Sequence, residues 1–526
     1  MIFKFFTKSN TLKLALFATG LSGIVAEYIL STLATYFLGN SVLQWTLILS
    51  FMLFAMGLGS RLSKYMEKQL LERFIIVEYV LSVLVAFSSL LAYGAASYAS
   101  FNDALSIYTF PLEGVLIYAL SILIGLLIGL EIPLVTRLNE EFESLRVNIS
   151  AVMEKDYFGS LIGGLFFAFV GLPYLGLTYT PFVLGAVNLL VAMMLFFRLR
   201  GMLQPFYRKV LLLTGGLVSI VIFTGGFWAK DIINYGEQQR YKDKVVLQKQ
   251  TPYQRLVVTK LKEDYWFYIN SNLQLSTFDE HLYHEPMAHP VMKLQEHPQD
   301  ILILGGGDGC LAREVLKYPS VKSITLVDLD PEVTALAKTH PIFTDMNKGA
   351  LTHEKVKVIN QDAFTFMEEN QAFYDVVMVD FPDPKSIELG RLYAYEMYRM
   401  IYNRLRPRGV MIVQAGSPYY ATKAFRCIEK TMQKADFNTL PMHNQVLTLG
   451  EWGWIVGAKE IPQEALKPTL QQLSFEDVDT KWLTRDAMMM ITSFGKDLVP
   501  IDSIEINTIH NPVLPRYYRT GNWRLY

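Results

Sequence analysis

Seven apolar stretches follow one another between Leu14 and Trp228, and they restrict the architecture more than anything else in the chain. They run over Leu14–Leu38, Leu43–Leu62, Phe74–Tyr98, Val115–Val135, Tyr157–Leu177, Pro181–Phe197 and Val210–Trp228. Most approach the roughly 20 residues a helix needs to cross about 30 Å of hydrocarbon. A secretory leader does not explain the first, because its apolar part is too long and further spans follow it. Composition agrees: of 526 residues, 51% are hydrophobic and 18% charged, against about 25% charged in an average soluble chain. A net charge of −1 gives no overall electrostatic case for nucleic acid as a partner. Two cysteines, Cys310 and Cys427, exclude a disulfide scaffold and a Cys-rich zinc site. Residues 1–230 are therefore predicted to form a multi-span α-helical membrane domain of about seven helices, with the lipid bilayer as its partner.

Lysine and arginine gather in alternate connections. Lys4, Lys8 and Lys13 precede the first stretch. Arg61, Lys64, Lys68 and Arg73 separate the second from the third, and Arg137, Arg146 and Lys155 the fourth from the fifth. Arg198, Arg200, Arg208 and Lys209 separate the sixth from the seventh. The connections around residues 39–44, 100–111 and 171–179 carry none. Such residues mark the cytoplasmic side, so the amino terminus is predicted inside, in a multi-pass cell (inner) membrane protein. Seven crossings would put everything after Trp228 outside. The seventh stretch, however, contains Gly215, Gly216, Gly225 and Gly226, and Lys230, Arg240, Lys242 and Lys244 follow it. It reads as interfacial or re-entrant, which returns the rest of the chain to the cytoplasm. Glu27 falls mid-span and is the candidate for an intramembrane site. Glu78, Glu113, Glu131 and Asp156 read as solvated near the interface, and Gly159, Gly163 and Gly164 recur at helix-contact spacing.

Beyond Trp228 the pattern changes to that of a soluble protein. Leu256–Leu261 and Trp266–Ile269 are rich in β-branched and aromatic residues, with breaks at Pro252 and Asn270–Asn272. A small β unit and an entry helix, Glu280–Leu294, are predicted within residues 231–295. An apolar strand at Ile301–Leu304 then runs into Gly305, Gly306, Gly307, Asp308 and Gly309, followed by a helical stretch to Lys317. A second strand, Ser323–Val327, ends in Asp328, 23 positions after Gly305. Glycines let a backbone approach a ligand closely, and an acid at the second strand's tip binds ribose hydroxyls. Further strands end at Asp362-Ala363, at Asp380-Phe381-Pro382-Asp383-Pro384 and at Gln414–Pro418. Ligands of open α/β sheets sit at the carboxyl ends of strands, so Asp308, Asp328, Asp362, Asp380 and Asp383 are candidate site residues. Each alone is also compatible with helix capping.

These motifs resemble the polyamine aminopropyltransferases, the spermidine synthase family. The glycine run Gly305–Gly309 with Arg313–Leu316 and Val327–Asp330 carries the resemblance, together with Pro252-Tyr253-Gln254, Asp279–Glu285 and Gln414–Pro418. It covers roughly residues 250–458, and the apolar half resembles that family's membrane-bound bacterial branch. The resemblance implies an α/β Rossmann-like, class I methyltransferase-like catalytic domain over residues 296–460. It implies that Gln254, Asp328, Asp362 and Ala363 contact the adenosine part of decarboxylated S-adenosylmethionine, a co-substrate rather than a bound cofactor. His284 and Asp308 would line the polyamine end, Asp383 and Tyr283 would help hold the amine, and Asp380 would accept its proton. No metal is implied. The acceptor implied is putrescine, giving spermidine and 5′-methylthioadenosine. Soluble relatives assemble as dimers or tetramers, so a homo-oligomer is implied as well.

The chemistry of the residues agrees with this assignment. An amine attacking the carbon next to a sulfonium must lose a proton, and an alkylammonium holds it with a pKa of about 10.4. A carboxylate at the reacting nitrogen accepts it, and further carboxylates attract a polycation. Two departures from the family pattern touch the acceptor: Phe381 and Pro382 stand between the two loop acids with Lys385 after them, and Trp452 falls at the amine pocket. A methyltransferase, and a transporter or sensor whose soluble domain only binds polyamine, remain alternatives. Residues 461–526 carry no recognisable chemistry.

Overall fold

The computed structural model describes residues 7–39, 41–101, 112–496 and 499–523. Lys4, nearly all of the loop expected at 100–111 and the side chain of Glu113 lie outside the described residues. The chain divides into two compact units, residues 1–259 and 260–526.

The first unit is helical: α1 (Lys8–Leu38), α2 (Ser41–Leu62), α3 (Leu70–Phe101), α4 (Leu112–Asn139), α5 (Leu145–Phe166), α6 (Gly176–Leu199) and α7 (Pro205–Gln239). Among the described residues, six helical segments are long and apolar enough to cross a membrane. The fifth covers residues 145–202 and is 58 residues long, about 87 Å if straight. It does not run straight. Gly176 takes a φ of +63°, and Thr180 Oγ1 donates to the Gly171 carbonyl at 2.9 Å, across nine positions that a continuous helix would hold about 13 Å apart. The fifth and sixth apolar stretches thus form two helices joined by a tight reversal.

Glycine brings the helices together. A Cβ on Gly159 or Gly163 of α5 would sit 2.1 or 2.5 Å from a backbone oxygen of α1. Gly129 of α4 meets Met56 of α2 in the same way, and Gly185 of α6 meets Ser82 of α3. Such contacts are how apolar helices pack without a hydrophobic drive between them. Gly164 faces only the Tyr28 ring, at 3.6 Å.

Two expectations fail here. Glu78 and Glu131 are fully buried between helices, and Asp156 is 9% exposed; none is solvated at an interface, because each points along its helix into the bundle. The seventh stretch is not re-entrant. It is one uninterrupted helix of 35 residues that follows α3 for its whole length. At its start, the Gln204 N–H donates to Glu72 Oε1 at 3.2 Å; midway Gly215 abuts Tyr79 and Gly225 abuts Phe87. At its far end Tyr36, near the carboxyl end of α1, donates to Glu237 Oε1 at 2.7 Å. Gly215 and Gly225 serve close contacts, a Cβ on Gly216 would meet nothing within 4 Å, and none of these glycines breaks the helix.

Four strands follow: β1 (Lys244–Gln250) and β2 (Arg255–Leu261), then β3 (Asp264–Ile269) and β4 (Asn272–Ser276), the last two paired antiparallel. The second unit continues with α8 (His281–Leu294), β5 (Asp300–Gly305), α9 (Cys310–Leu316), β6 (Ser323–Asp328), α10 (Pro331–Thr339), α11 (Pro341–Asn347), β7 (Val356–Asn360), α12 (Ala363–Glu369) and β8 (Tyr374–Asp380). Beyond these come α13 (Ile387–Gly390), α14 (Tyr395–Arg404), β9 (Leu405–Gly416), α15 (Thr422–Lys434), β10 (Asn438–Val446) and β11 (Gly450–Ala458). The last elements are α16 (Gln463–Gln471), α17 (Arg485–Ile491) and α18 (Leu514–Arg519).

Seven of these strands form one sheet in the order β10-β11-β9-β8-β5-β6-β7. The five from β7 to β9 run parallel, and β10 and β11 pair antiparallel at one edge. Ile301–Leu304 and Val376–Val379 are fully buried, as expected of parallel strands covered on both faces. Helix α15 buries Ala424, Phe425, Cys427, Ile428, Thr431 and Met432, the stripe of an amphipathic helix on a sheet. The strand order reverses direction at β5, so the crevice for a ligand lies at the carboxyl ends of β5 and β8.

Candidate active site

The register of the sheet sets the two main parts of the site side by side. Gly305 ends β5 directly opposite Asp380 at the end of β8. Gly305, Gly306 and Gly309 have φ of +85°, +64° and +86°, a region that only glycine enters readily. A Cβ on Gly307 would lie 2.4 Å from Asp328 Oδ2. The glycine there instead lets its N–H donate to that oxygen at 3.1 Å, while the Asp330 N–H donates to Oδ1 at 3.0 Å. Burial pushes the Asp328 carboxyl up to about 6, with the charges of Asp308 and Asp330 adding to the rise and these two N–H bonds opposing it.

The amine-end candidates converge. Ligand atoms of His284, Asp308 and Asp380 all lie within 4.8 Å of one another. The Tyr283 hydroxyl donates to Asp380 Oδ1 at 2.6 Å, and its ring packs against Trp454 at 5.3 Å. Burial, with the nearby Asp308 charge, pushes the Asp380 carboxyl up to about 6, against the opposing pull of His284 and the Tyr283 bond. Burial works to lower the His284 imidazole, but the Glu280 carboxylate, 2.8 Å from Nδ1, overrides it and holds the ring above its ordinary value. Glu280 also accepts from Arg313 at 2.8 Å. Burial would raise its carboxyl; His284 and Arg313 together hold it well below the usual carboxylate range. The result is His284 and Arg313 paired on Glu280, with the carboxylates Asp308 and Asp380 clustered at His284. Two acids so placed suit an ammonium or a metal cation by charge alone. A second grouping, Glu280, His284 and Cys310, is fully buried, and its carboxylate is already neutralised by Arg313.

Asp383 lies three residues on, its Oδ2 bonded to the Tyr518 hydroxyl at 2.6 Å. The loop between the acids is fixed from behind. Gln414 Nε2 donates to the Phe381 carbonyl at 2.6 Å, and the Tyr393 hydroxyl reaches the Phe381 and Pro382 carbonyls at 3.1 Å each.

Some of these acids bond the backbone at a helix start, as foreseen. Asp308 Oδ1 accepts from the Cys310 N–H at 2.8 Å at the start of α9. Asp362 caps α12 through the Thr365 N–H at 3.0 Å and pairs with Arg391 at 2.6 Å, beside the buried Ala363. Gln254 belongs to the first unit, in the turn between β1 and β2, where its N–H donates to Thr251 Oγ1 at 3.0 Å. Trp454 is fully buried against Tyr283, and Trp452 is half-buried opposite Asn444 on β10. Tyr518 and Arg391 had no sequence signal of their own. Their partners lie 135 and 29 positions away.

A glycine turn and clustered acids at the switch point of a parallel sheet have the layout of a nucleotide-binding α/β enzyme. The Spermine/spermidine synthase domain matches residues 280–466, which makes the second unit a transferase domain of that kind. A relative from Aquifex aeolicus (strain VF5), polyamine aminopropyltransferase 2, is 39% identical over 97% of this chain and 98% of its own. The polyamine aminopropyltransferase of Oceanobacillus iheyensis is 35% identical over 96% of each chain. A crystal structure of spermidine synthase from Thermotoga maritima superposes over 48% of this chain and 85% of that one, at 23% identity and a TM-score of 0.43. The chain belongs to the polyamine aminopropyltransferase family, and its similarity to the full-length relatives includes the helical unit.

Proposed function

We propose that the protein transfers the aminopropyl group of decarboxylated S-adenosylmethionine to putrescine, forming spermidine and 5′-methylthioadenosine. The observation that carries this reading is the convergence of His284, Asp308 and Asp380 beside the glycine turn. In the reaction the lone pair of the amine attacks the aminopropyl carbon next to sulfur. The carbon–sulfur bond breaks, its electrons stay on sulfur, and the sulfonium becomes a neutral thioether. The reacting ammonium first gives one proton to Asp380, which frees that lone pair, and the product nitrogen leaves as a secondary ammonium. That carboxylate, pushed up to about 6, is ionised at neutral pH and a better acceptor than an ordinary one. Tyr283 keeps Oδ1 oriented, and Asp308 draws the ammonium form of the substrate into place. Asp328, Asp362 and Ala363 take the adenosine part of the donor, with Asp328 at the ribose. Purified full-length protein given the donor and putrescine is expected to release 5′-methylthioadenosine and spermidine in equal amounts. No thioadenosine with any diamine or triamine would overturn the reading, and S-adenosylhomocysteine from S-adenosylmethionine would replace it with methyl transfer.

We further propose that the helical unit spans a bilayer and that the second unit faces the cytoplasm. The donor is a charged sulfonium made there, and ions of that kind do not cross hydrocarbon unaided. With α7 running the full length of the bundle, this orientation places the start of α1 on the far side, against the direction of the loop charges. The supply of donor takes precedence, since an enzyme without its substrate has no selected function. A pair of reporters fused after Tyr526 tests it: the cytoplasmic reporter should be active and alkaline phosphatase silent. The opposite result would put the second unit outside and require a route for the donor.

A further inference from the structure

The stretch after β11, which carries no motif, is bound into the second unit by buried polar contacts. Glu285 of α8 is 1% exposed and accepts the backbone N–H groups of Lys481, Trp482 and Leu483 at 2.6, 2.9 and 2.8 Å. Asn507 Nδ2 donates to the Gly390 carbonyl at 2.8 Å, and Pro515 packs where a Cβ on Gly390 would be. These contacts deliver α18 to the acidic loop.

There Tyr518, 4% exposed, donates to Asp383 Oδ2 at 2.6 Å. Its ring is held by the Trp523 ring at 4.6 Å, and the Trp523 Nε1–H donates to the Tyr518 carbonyl at 2.7 Å. Lys385 Nζ comes to the same Oδ2, at 3.7 Å, while donating to Asn272 at 2.6 Å. The other oxygen, Oδ1, is buried and has no hydrogen-bond partner among the described residues. A buried carboxylate oxygen without a donor is costly. The carboxylate is therefore lopsided, with one oxygen saturated by the protein and one kept for a donor from elsewhere.

We propose that Tyr518 is a positioning residue that sets acceptor specificity: it locks Asp383 so that Oδ1 takes the far ammonium of an α,ω-diamine. Lys385, on the oxygen already occupied, tempers the charge that this ammonium meets. The inference rests on reading Asp383 as part of the amine end, and the test separates the two. It compares kcat/KM for putrescine with that for 1-aminobutane, which has the reacting nitrogen and the same chain but no second ammonium. Wild-type protein should strongly prefer the diamine, and Asp383→Asn should erase the preference; if Asp383→Asn leaves it intact, the reading of Asp383 fails. Tyr518→Phe keeps the ring on Trp523 and removes only the hydroxyl. It should raise KM for putrescine roughly 10–100-fold, the value of a hydrogen bond to a charged group, with kcat at saturating amine and KM for the donor nearly unchanged. It should also shrink the diamine preference by the same factor. An unchanged preference in Tyr518→Phe, alongside a lost one in Asp383→Asn, overturns the role of Tyr518. Lys385→Met, at a half-exposed position, gives a readout independent of how Tyr518→Phe folds. The diamine preference should rise several-fold once Asp383 loses its internal cation, and an unchanged preference would overturn the lopsided carboxylate.

Discussion

Asp380→Asn is expected to lower kcat by about 10²–10⁴-fold, the usual effect of losing a general base, while 5′-methylthioadenosine binds as before. The amide has the same shape and still accepts from Tyr283 at its oxygen, so proton acceptance is removed together with one negative charge, and kcat is read at saturating amine. The pH profile gives a second signature. A group whose pKa stands at about 6 is protonated below that value and cannot take the amine's proton. Wild-type kcat should therefore fall as the pH drops through about 6. Measured at saturating donor, this limb excludes Asp328, which also titrates near 6 but acts on binding. In Asp380→Asn the limb should vanish from the residual rate. A variant that lost nucleoside affinity yet turned over normally when saturated would reverse the roles of the two acids.

Gly305→Ala should be as damaging by a different route. Its Cβ would stand 2.0 Å from the Asp380 carbonyl oxygen and 2.8 Å from the carbon, both backbone atoms that no rotamer can move. The φ of +85° adds a conformational cost of about 1–3 kcal/mol, and overpacking adds about 1–3 kcal/mol. Together, about 2–6 kcal/mol is a large share of a stability of about 5–15 kcal/mol. The variant should unfold at clearly lower temperature and be inactive where folded, because β8 must retreat and take Asp380 with it. Wild-type melting and turnover would show that the strand ends are not as closely coupled as their register implies.

What could be read from the sequence was whatever is local. Acids at the ends of apolar strands betray a parallel sheet and its ligand edge because strand, turn and acid are contiguous. The same logic found Gly305–Gly309 and Asp380. It could not separate Asp362 the ligand candidate from Asp362 the helix cap, since both begin from an acid at a strand end and its partner Arg391 is 29 positions away. The fate of α7 was misjudged for a related reason: four glycines suggest weakness in isolation, and only the neighbours Tyr79, Phe87 and Phe182 reveal three of them, Gly215, Gly225 and Gly226, as contact points. Glu78 and Glu131 were misplaced because depth in a bundle depends on the helices around a residue. Tyr518 was invisible altogether, joined to Asp383 by a fold of the whole domain.

The bond between Tyr518 and Asp383 also bears on the order in which the protein acquires its properties as it is made. Its two ends are 135 positions apart, so the acid leaves the ribosome well before the hydroxyl is synthesised. The helices of the first unit and the central strands emerge earlier still. A nascent chain halted between α15 and α18 would have its glycine turn, Asp328 and Asp380, yet lack the hydroxyl bonded to Asp383. Acceptor selectivity would then appear later in translation than the parts that carry the chemistry.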